Sequence, residues 1–114
     1  NEHDRPILYK DEFWFVTTNI KPYENTKHHF LLISKDHAES LIDLHPDSGN
    51  SLLYFLRKLE TDYNIDSGAI IFRFGDPLYN GGSVNHLHAH LIVPDVGPDK
   101  DWEKLKVKLG TNPK

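Results

Sequence analysis

Three histidines stand at alternate positions in the segment NHLHAHLIVP, residues 85–94. They are His86, His88 and His90, and single apolar residues separate them. Because successive side chains of a β-strand point to opposite faces, this alternation predicts a strand with three imidazoles on one face and an apolar row on the other. Same-face neighbours in a strand lie roughly 6.5–7 Å apart, so the three rings can converge on one small group.

Three interpretations of this row differ in their chemistry. An ordinary polar face is the first, but three histidines at a spacing of two are unusual in a chain that has 8. A metal site is the second; it would use a pair of histidines on one strand and a further ligand, and the nearest carboxylate, Asp95, follows Pro94 on a poor trajectory. Phosphate chemistry is the third, because a neutral imidazole can attack phosphorus while its neighbours donate hydrogen bonds to the oxygens.

The loop before the histidines favours phosphate. It reads NGGSVN, residues 80–85, and supplies two glycines and a serine. Glycine lets the backbone approach an anion closely, and its amide N–H group together with a serine hydroxyl can bind phosphate oxygens. A glycine pair alone is a weak signal, but one that leads directly into the alternating histidines is stronger.

Length and composition predict one folded domain over residues 1–114. The chain is 38% hydrophobic and has a formal net charge of −4, so we expect neither nucleic acid nor a membrane as a partner. It has no cysteine, which removes disulfides and thiol nucleophiles. The first ten residues, NEHDRPILYK, are charged and carry no apolar segment, so we expect no signal peptide and a cytoplasmic protein.

Hydrophobic patterning predicts an α+β domain. We expect strands over residues 5–10, 11–20, 28–34, 69–74, 86–94 and 102–109, and helices over residues 35–46 and 51–64. Asp36 is a possible N-cap of the first helix and Pro46 its end. Three strands, two helices and three strands do not alternate as parallel βαβ units, so the order favours an antiparallel sheet with helices packed against it.

Three segments together resemble the histidine-triad (HIT) family. HLHAHLI, residues 86–92, is similar to its signature, in which histidines alternate with apolar residues. HFLLISKDH, residues 29–37, and NIKP, residues 19–22, resemble its upstream segments, and the likeness extends over about residues 7–94. It is nearest to the branch related to diadenosine tetraphosphate hydrolases and phosphorylases. The resemblance implies an antiparallel sheet of about five strands with two helices packed on it.

The resemblance also implies catalytic roles. His88 would attack the α-phosphorus and become nucleotidylated. His90 and His29 would contact the phosphate oxygens or the leaving group, and His86 would orient the site through a hydrogen bond to main chain near His88.

Substrate-binding roles follow in the same way. Asn19 would bind ribose hydroxyls, and Ile20 and Leu31 would line the base pocket. The amide of Gly82 and the hydroxyl of Ser83 would bind phosphate or the leaving group.

The implied activity is nucleotidyl hydrolysis or transfer on dinucleoside polyphosphates or nucleoside phosphoramidates. The substrate would be a purine nucleotide, and the protein a homodimer whose sheets join. No metal site is expected and no cofactor is required, with Mg²⁺ accompanying a polyphosphate substrate at most. A nucleotide-binding HIT module with little turnover and a histidine-rich metal-binding protein are the alternatives.

Two departures from the family pattern bear on substrate choice. Gly82 stands where many members carry Gln, and Arg73 or Asp76 stands near a position that often holds an amide.

Overall fold

The computed structural model describes residues 6–19, 21–76, 79, 86–95 and 107–109. Its sheet has five antiparallel strands in the order β1-β2-β3-β5-β4. The elements along the chain are β1 (Ile7–Lys10), β2 (Trp14–Thr18), β3 (Thr26–Ser34), α1 (Ser48–Asp62), β4 (Ala69–Arg73) and β5 (His88–Pro94). The α+β class and the five-stranded antiparallel sheet are therefore confirmed.

Strand β2 begins later than the pattern predicts, at Trp14 rather than residue 11, because Asp11 forms a turn. Its carboxylate accepts hydrogen bonds from the amides of Phe13 and Trp14, at 2.8 and 2.9 Å. The hydroxyl of Ser51 in α1 donates to the same carboxylate. This turn joins the first two strands and ties them to the helix.

One face of the sheet packs against α1 and forms the core. Trp14 is fully buried there, and its indole N–H donates to the carbonyl of Ser48 at 2.9 Å. The helix contributes Phe55 and Leu59, whose spacing of four residues places them on one side. The buried cluster consists of Trp14, Val16, Phe30, Leu32, Phe55, Leu59, Ala89 and Leu91.

The helix predicted over residues 35–46 is wrong. Within this segment the structure has only a 3₁₀ helix, Leu41–Asp43, in which Ile42 is 92% exposed. The carbonyls of Ala38 and Glu39 accept hydrogen bonds from the amides of Leu87 and Gly75, at 2.9 and 2.6 Å. Since these carbonyls bond to other parts of the chain, they are not engaged in α-helical i to i+4 bonds. Among the described residues, one main helix lies against the sheet, and segment 35–46 supplies no second one.

The second predicted helix is confirmed, with shifted ends. Predicted over residues 51–64, it runs from Ser48 to Asp62. Pro46 therefore lies just before this helix rather than ending another, and Asp47 occupies the N-cap position without a side-chain cap bond. None of the described helices is long and apolar enough to cross a membrane.

The strand predicted over residues 102–109 lies mostly outside the described residues. Its described part, residues 107–109, is not in a strand.

Candidate active site

The face of the sheet opposite α1 carries the histidines in cross-strand rows. Strand β5 lies between β3 and β4, and directly opposed residues of antiparallel strands share a face. Three rows run across β3, β5 and β4: Ile33, His88 and Arg73 in the first, Leu31, His90 and Ile71 in the second, and His29, Ile92 and Ala69 in the third. This arrangement brings His29 to the triad although it lies some sixty residues upstream.

His88 is oriented with one ring nitrogen available. Its Nδ1 lies 2.9 Å from the carbonyl oxygen of His86, which only accepts, so His88 donates from Nδ1. Burial lowers the pKa of His88 below its usual 6.5, and the charge of Arg73 and the neighbouring His86 also lower it, against the His86 hydrogen bond, which raises it. The ring is therefore neutral near pH 7, and its Nε2 lone pair can act as a nucleophile.

His29 and His90 are linked by a hydrogen bond between their rings. The amide of Tyr23 donates to His29 Nδ1 at 3.2 Å, so the neutral ring of His29 carries its proton on Nε2. That nitrogen lies 2.8 Å from His90 Nδ1, which must then accept. Neutral His90 consequently carries its proton on Nε2.

The Nε2–H group of His90 is an unused donor on the histidine face. It is buried and has no hydrogen-bond partner among the described residues. Burial, with the neighbouring His88, His29 and Arg73, lowers the pKa of His90 to about 3, and burial together with Arg73 lowers the pKa of His29 to about 4. A buried donor without an acceptor costs free energy, which an anionic ligand oxygen would recover.

His86 joins the start of the histidine segment to the end of β3. Its Nε2 lies 2.5 Å from the carbonyl oxygen of Ser34, and its ring packs edge-on against His37 at 5.4 Å. The amide of Ser34 in turn donates to the carbonyl of Leu87 at 3.2 Å. His86 thus contacts Ser34 through its ring and His88 through its carbonyl. Strand β5 begins only at His88, not at residue 86 as predicted.

The predicted substrate-binding residues are only partly described. Asn19 follows β2, and its Nδ2 lies 3.4 Å from His29 Nε2, while its Oδ1 accepts from the amide of Lys21. Leu31 is buried in the same row as His90. Ile20, Gly82 and Ser83 lie outside the described residues.

Two side chains at this face were not among the predicted site residues. Arg73 is the cross-strand partner of His88, and Tyr23 lies against His29 and His90, with ring centroids 4.5 and 5.9 Å away. In the sequence, Arg73 stands out only as a departure from the family pattern, and no neighbouring residue indicates that it lies beside His88. Tyr23 lies in a polar loop and carries no sequence signal of its own.

The ring-to-ring bond also bears on the metal-site alternative. His29 Nε2 and His90 Nδ1 bond to each other, and His88 Nδ1 bonds to a carbonyl. Among the described residues, no group of three or more histidine, aspartate or glutamate side chains is arranged to hold a metal ion.

The five-stranded antiparallel sheet with one main helix is a fold shared with solved histidine-triad proteins. The structure is similar to a histidine-triad protein from Clostridium difficile, with a TM-score of 0.67, 22% identity and 85% of each chain covered. It resembles a HIT family hydrolase from Clostridium thermocellum, with a TM-score of 0.60 and 25% identity over 89% of this chain and 86% of that one. A histidine triad nucleotide-binding protein from Candida albicans has a TM-score of 0.67 and 19% identity, over 94% and 81% of the chains.

Within this fold, the sequence itself assigns the family. The family described as "Scavenger mRNA decapping enzyme C-term binding" matches residues 1–106, and the chain belongs to it. Comparison with curated protein sequences finds no match.

Proposed function

We propose that this protein is a nucleotidyl hydrolase or transferase that cleaves its substrate at the α-phosphate through a covalent nucleotidyl-histidine on His88. The observation that carries the proposal is the pairing of two ring atoms. The Nε2 of His88 keeps a lone pair because its Nδ1 donates to the His86 carbonyl, and on the same strand face His90 offers a buried Nε2–H donor. A nucleophile and a preset donor are what nucleophilic substitution at phosphorus requires.

The reaction has two steps in this proposal. In the first, the Nε2 lone pair of His88 forms a bond to the α-phosphorus, and the bond from phosphorus to the leaving group breaks with its electron pair. A phosphate leaving group departs as an anion, whereas an amine takes up a proton from solvent as it leaves. In the second, water attacks the phosphorus and gives up a proton to solvent, the phosphorus–nitrogen bond breaks with its electron pair returning to His88 Nε2, and a nucleoside monophosphate is released. Inorganic phosphate in place of water would give a nucleoside diphosphate.

The histidines around His88 take supporting roles. The Nε2–H of His90 donates to a non-bridging oxygen or to the leaving group, and His29 keeps that proton on Nε2 through the ring-to-ring bond. His86 holds His88 through its carbonyl. Asn19 binds the ribose, Leu31 and Ile20 line the base pocket, and Gly82 and Ser83 contact phosphate.

The substrate class proposed is a dinucleoside polyphosphate or a nucleoside phosphoramidate with a purine base, as in the branch related to diadenosine tetraphosphate hydrolases and phosphorylases. The family name refers to mRNA decapping, and a cap remnant is itself a 5′–5′ dinucleoside polyphosphate. No metal is required, although Mg²⁺ can accompany a polyphosphate chain.

The experiment compares the wild-type protein with His88→Ala and with His45→Ala. His45 is a matched control because it is exposed and its ring packs against Phe13, on the α1 side. Each protein is incubated with diadenosine polyphosphates, a cap dinucleotide and a nucleoside phosphoramidate, with and without phosphate. Products are identified by chromatography, and the quenched protein is weighed by mass spectrometry.

We expect the wild type and His45→Ala to turn over at least one substrate and to carry a nucleotidyl adduct. We expect His88→Ala to lose about a thousandfold or more in rate, because deletion of a nucleophile removes the covalent route. Turnover by His88→Ala at the wild-type rate would disprove the mechanism.

A nucleotide-binding module with little turnover is the second candidate. Gly82 favours it, because a glycine in place of the frequent Gln removes a side-chain donor from the phosphate loop. It predicts binding of a nucleoside monophosphate without any adduct on His88, in the same assay.

We infer that the protein is a homodimer joined through β4. In the described part of the chain, β4 has a strand neighbour on one side only, and Ile70 on it is 54% exposed. A cleft of about 240 Å³ between β4 and α1 is lined partly by Ile70 and Leu53, which is 56% exposed. An edge strand beside an apolar surface suits antiparallel pairing with the same strand of a second copy across a twofold axis.

A further inference from the structure

Arg73 lies beside the nucleophile of the proposed reaction. It is the cross-strand partner of His88, so both side chains stand on the same face of the sheet. Arg73 is only 5% exposed. In the three rows that cross β3, β5 and β4, it is the one side chain with a permanent charge.

The guanidinium of Arg73 is held in place from two directions. Its Nη2 donates to the hydroxyl of Tyr23 at 2.9 Å, and its Nη1 donates to the carbonyl of Lys108 at 3.0 Å. The ring of Tyr23 packs against His29 and His90, so the anchor on Tyr23 keeps the cation next to the same rings. A planar guanidinium with two fixed bonds is oriented more strictly than a lysine ammonium would be.

The site has a charge requirement that the histidines do not meet. A phosphodiester or phosphoanhydride carries negative charge at the α-phosphate, and more charge develops as the leaving group departs. His29, His88 and His90 are neutral near pH 7, because burial and Arg73 lower the pKa of each ring. Neutral rings donate hydrogen bonds but supply no positive charge, and the whole chain has a net charge of −4.

We propose that Arg73, anchored by Tyr23, is a further substrate-recognition residue: a fixed cation on the histidine face that compensates the charge of the substrate phosphate at His88. This inference rests on the proposed function of the histidine row. Gly82 has no side chain that could donate to the phosphate. In this proposal Arg73 makes the side-chain contact to the phosphate instead.

The test measures binding of AMP and of adenosine, which differ by the phosphate. Calorimetry on wild type, Arg73→Met and Arg73→Lys is compared with Arg57→Met, a matched control on the exposed side of α1. We expect Arg73→Met to weaken AMP binding about tenfold to a hundredfold, the range for hydrogen bonds to charged groups, and to leave adenosine binding unchanged. Arg73→Lys keeps the charge and should recover part of the AMP affinity. Arg57→Met should match the wild type.

Tyr23→Phe keeps the proposal testable if Arg73→Met fails to fold. It removes one anchor of the guanidinium and retains the aromatic ring, so we expect a smaller loss of AMP affinity and again no change for adenosine. Thermal melting identifies any variant that does not fold.

Two outcomes would overturn this role of Arg73: equal losses of AMP and adenosine affinity, or no loss of either, in the folded Arg73 variants. Failure of the proposed reaction is a separate result. In that case AMP binding would depend on Arg73 while the wild type formed no adduct on His88.

Discussion

Proton placement on individual imidazoles decides what the histidine face can do. The bonds of His88 Nδ1 to a carbonyl and of His29 Nδ1 to an amide assign one tautomer to each ring. The ring-to-ring bond then assigns the tautomer of His90. A protonated ring at His29 or His90 would replace an acceptor by a donor, so their bonds require both rings to be neutral.

The first prediction at this scale concerns acid titration. We expect ¹⁵N NMR titration to give a pKa of about 4 for His29 and about 3 for His90, and a pKa below the usual 6.5 for His88. Burial lowers these pKa values because it disfavours the charged forms. In the unfolded chain these rings take up protons near pH 6.5. The unfolded state therefore binds more protons as the pH falls below 6.5, and stability decreases with acidification over this window.

Urea unfolding between pH 7.5 and 4.5 measures the predicted decrease in the free energy of unfolding with acidification. The carboxylates of Asp11 and Asp62 also have lowered pKa values, but both titrate below 3.8, outside the window. His29→Gln, which has no titratable ring, should reduce the slope. Constant or rising stability on acidification would contradict the neutral tautomers.

At the scale of elements, the approach of β4 to β5 determines where Arg73 stands. Gly68 immediately precedes β4, and a Cβ at this position would lie 2.8 Å from the carbonyl oxygen of Ile92. That oxygen belongs to the backbone of β5 and cannot move without moving the strand. A side chain at residue 68 therefore forces the start of β4 away from β5.

We expect Gly68→Ala to destabilise the fold by about 1–3 kcal/mol, as overpacking does. Gly49→Ala is the matched control, because a Cβ at Gly49, in the first turn of α1, meets nothing within 4 Å. It should be neutral or stabilise by up to about 1 kcal/mol, since alanine favours helix. Chemical denaturation compares the two. Equal stabilities for both variants would show that β4 adjusts without cost.

For the whole molecule, the proposed dimer contact is the edge of β4 that has no strand neighbour in the described part of the chain. We expect Ile70→Asp to convert the proposed dimer to monomer, because a carboxylate at the pairing edge would face its own symmetry mate. Ile42→Asp is the control, since Ile42 is 92% exposed and lies on the 3₁₀ helix rather than on β4. Sedimentation velocity at several concentrations gives the masses. A dimer that persists in Ile70→Asp would place the contact elsewhere.

The sequence by itself determined the local geometry of the site. Alternation specifies that His88 and His90 share a face of β5, because a strand has a period of two. The spacing of Phe55 and Leu59 in the same way specifies the core side of α1. The α+β class followed from the order of such elements along the chain, whereas His29 was a candidate only through the resemblance to the HIT family.

Only the tertiary structure decided which distant residues meet. Segment 35–46 resembles a helix locally, yet its carbonyls bond to the amides of Leu87 and Gly75. The register of β4 against β5 places Arg73 beside His88, and the loop after β2 places Tyr23 against His29 and His90. Strand register and loop packing depend on contacts between residues far apart in the chain, so no local period of the sequence contains them.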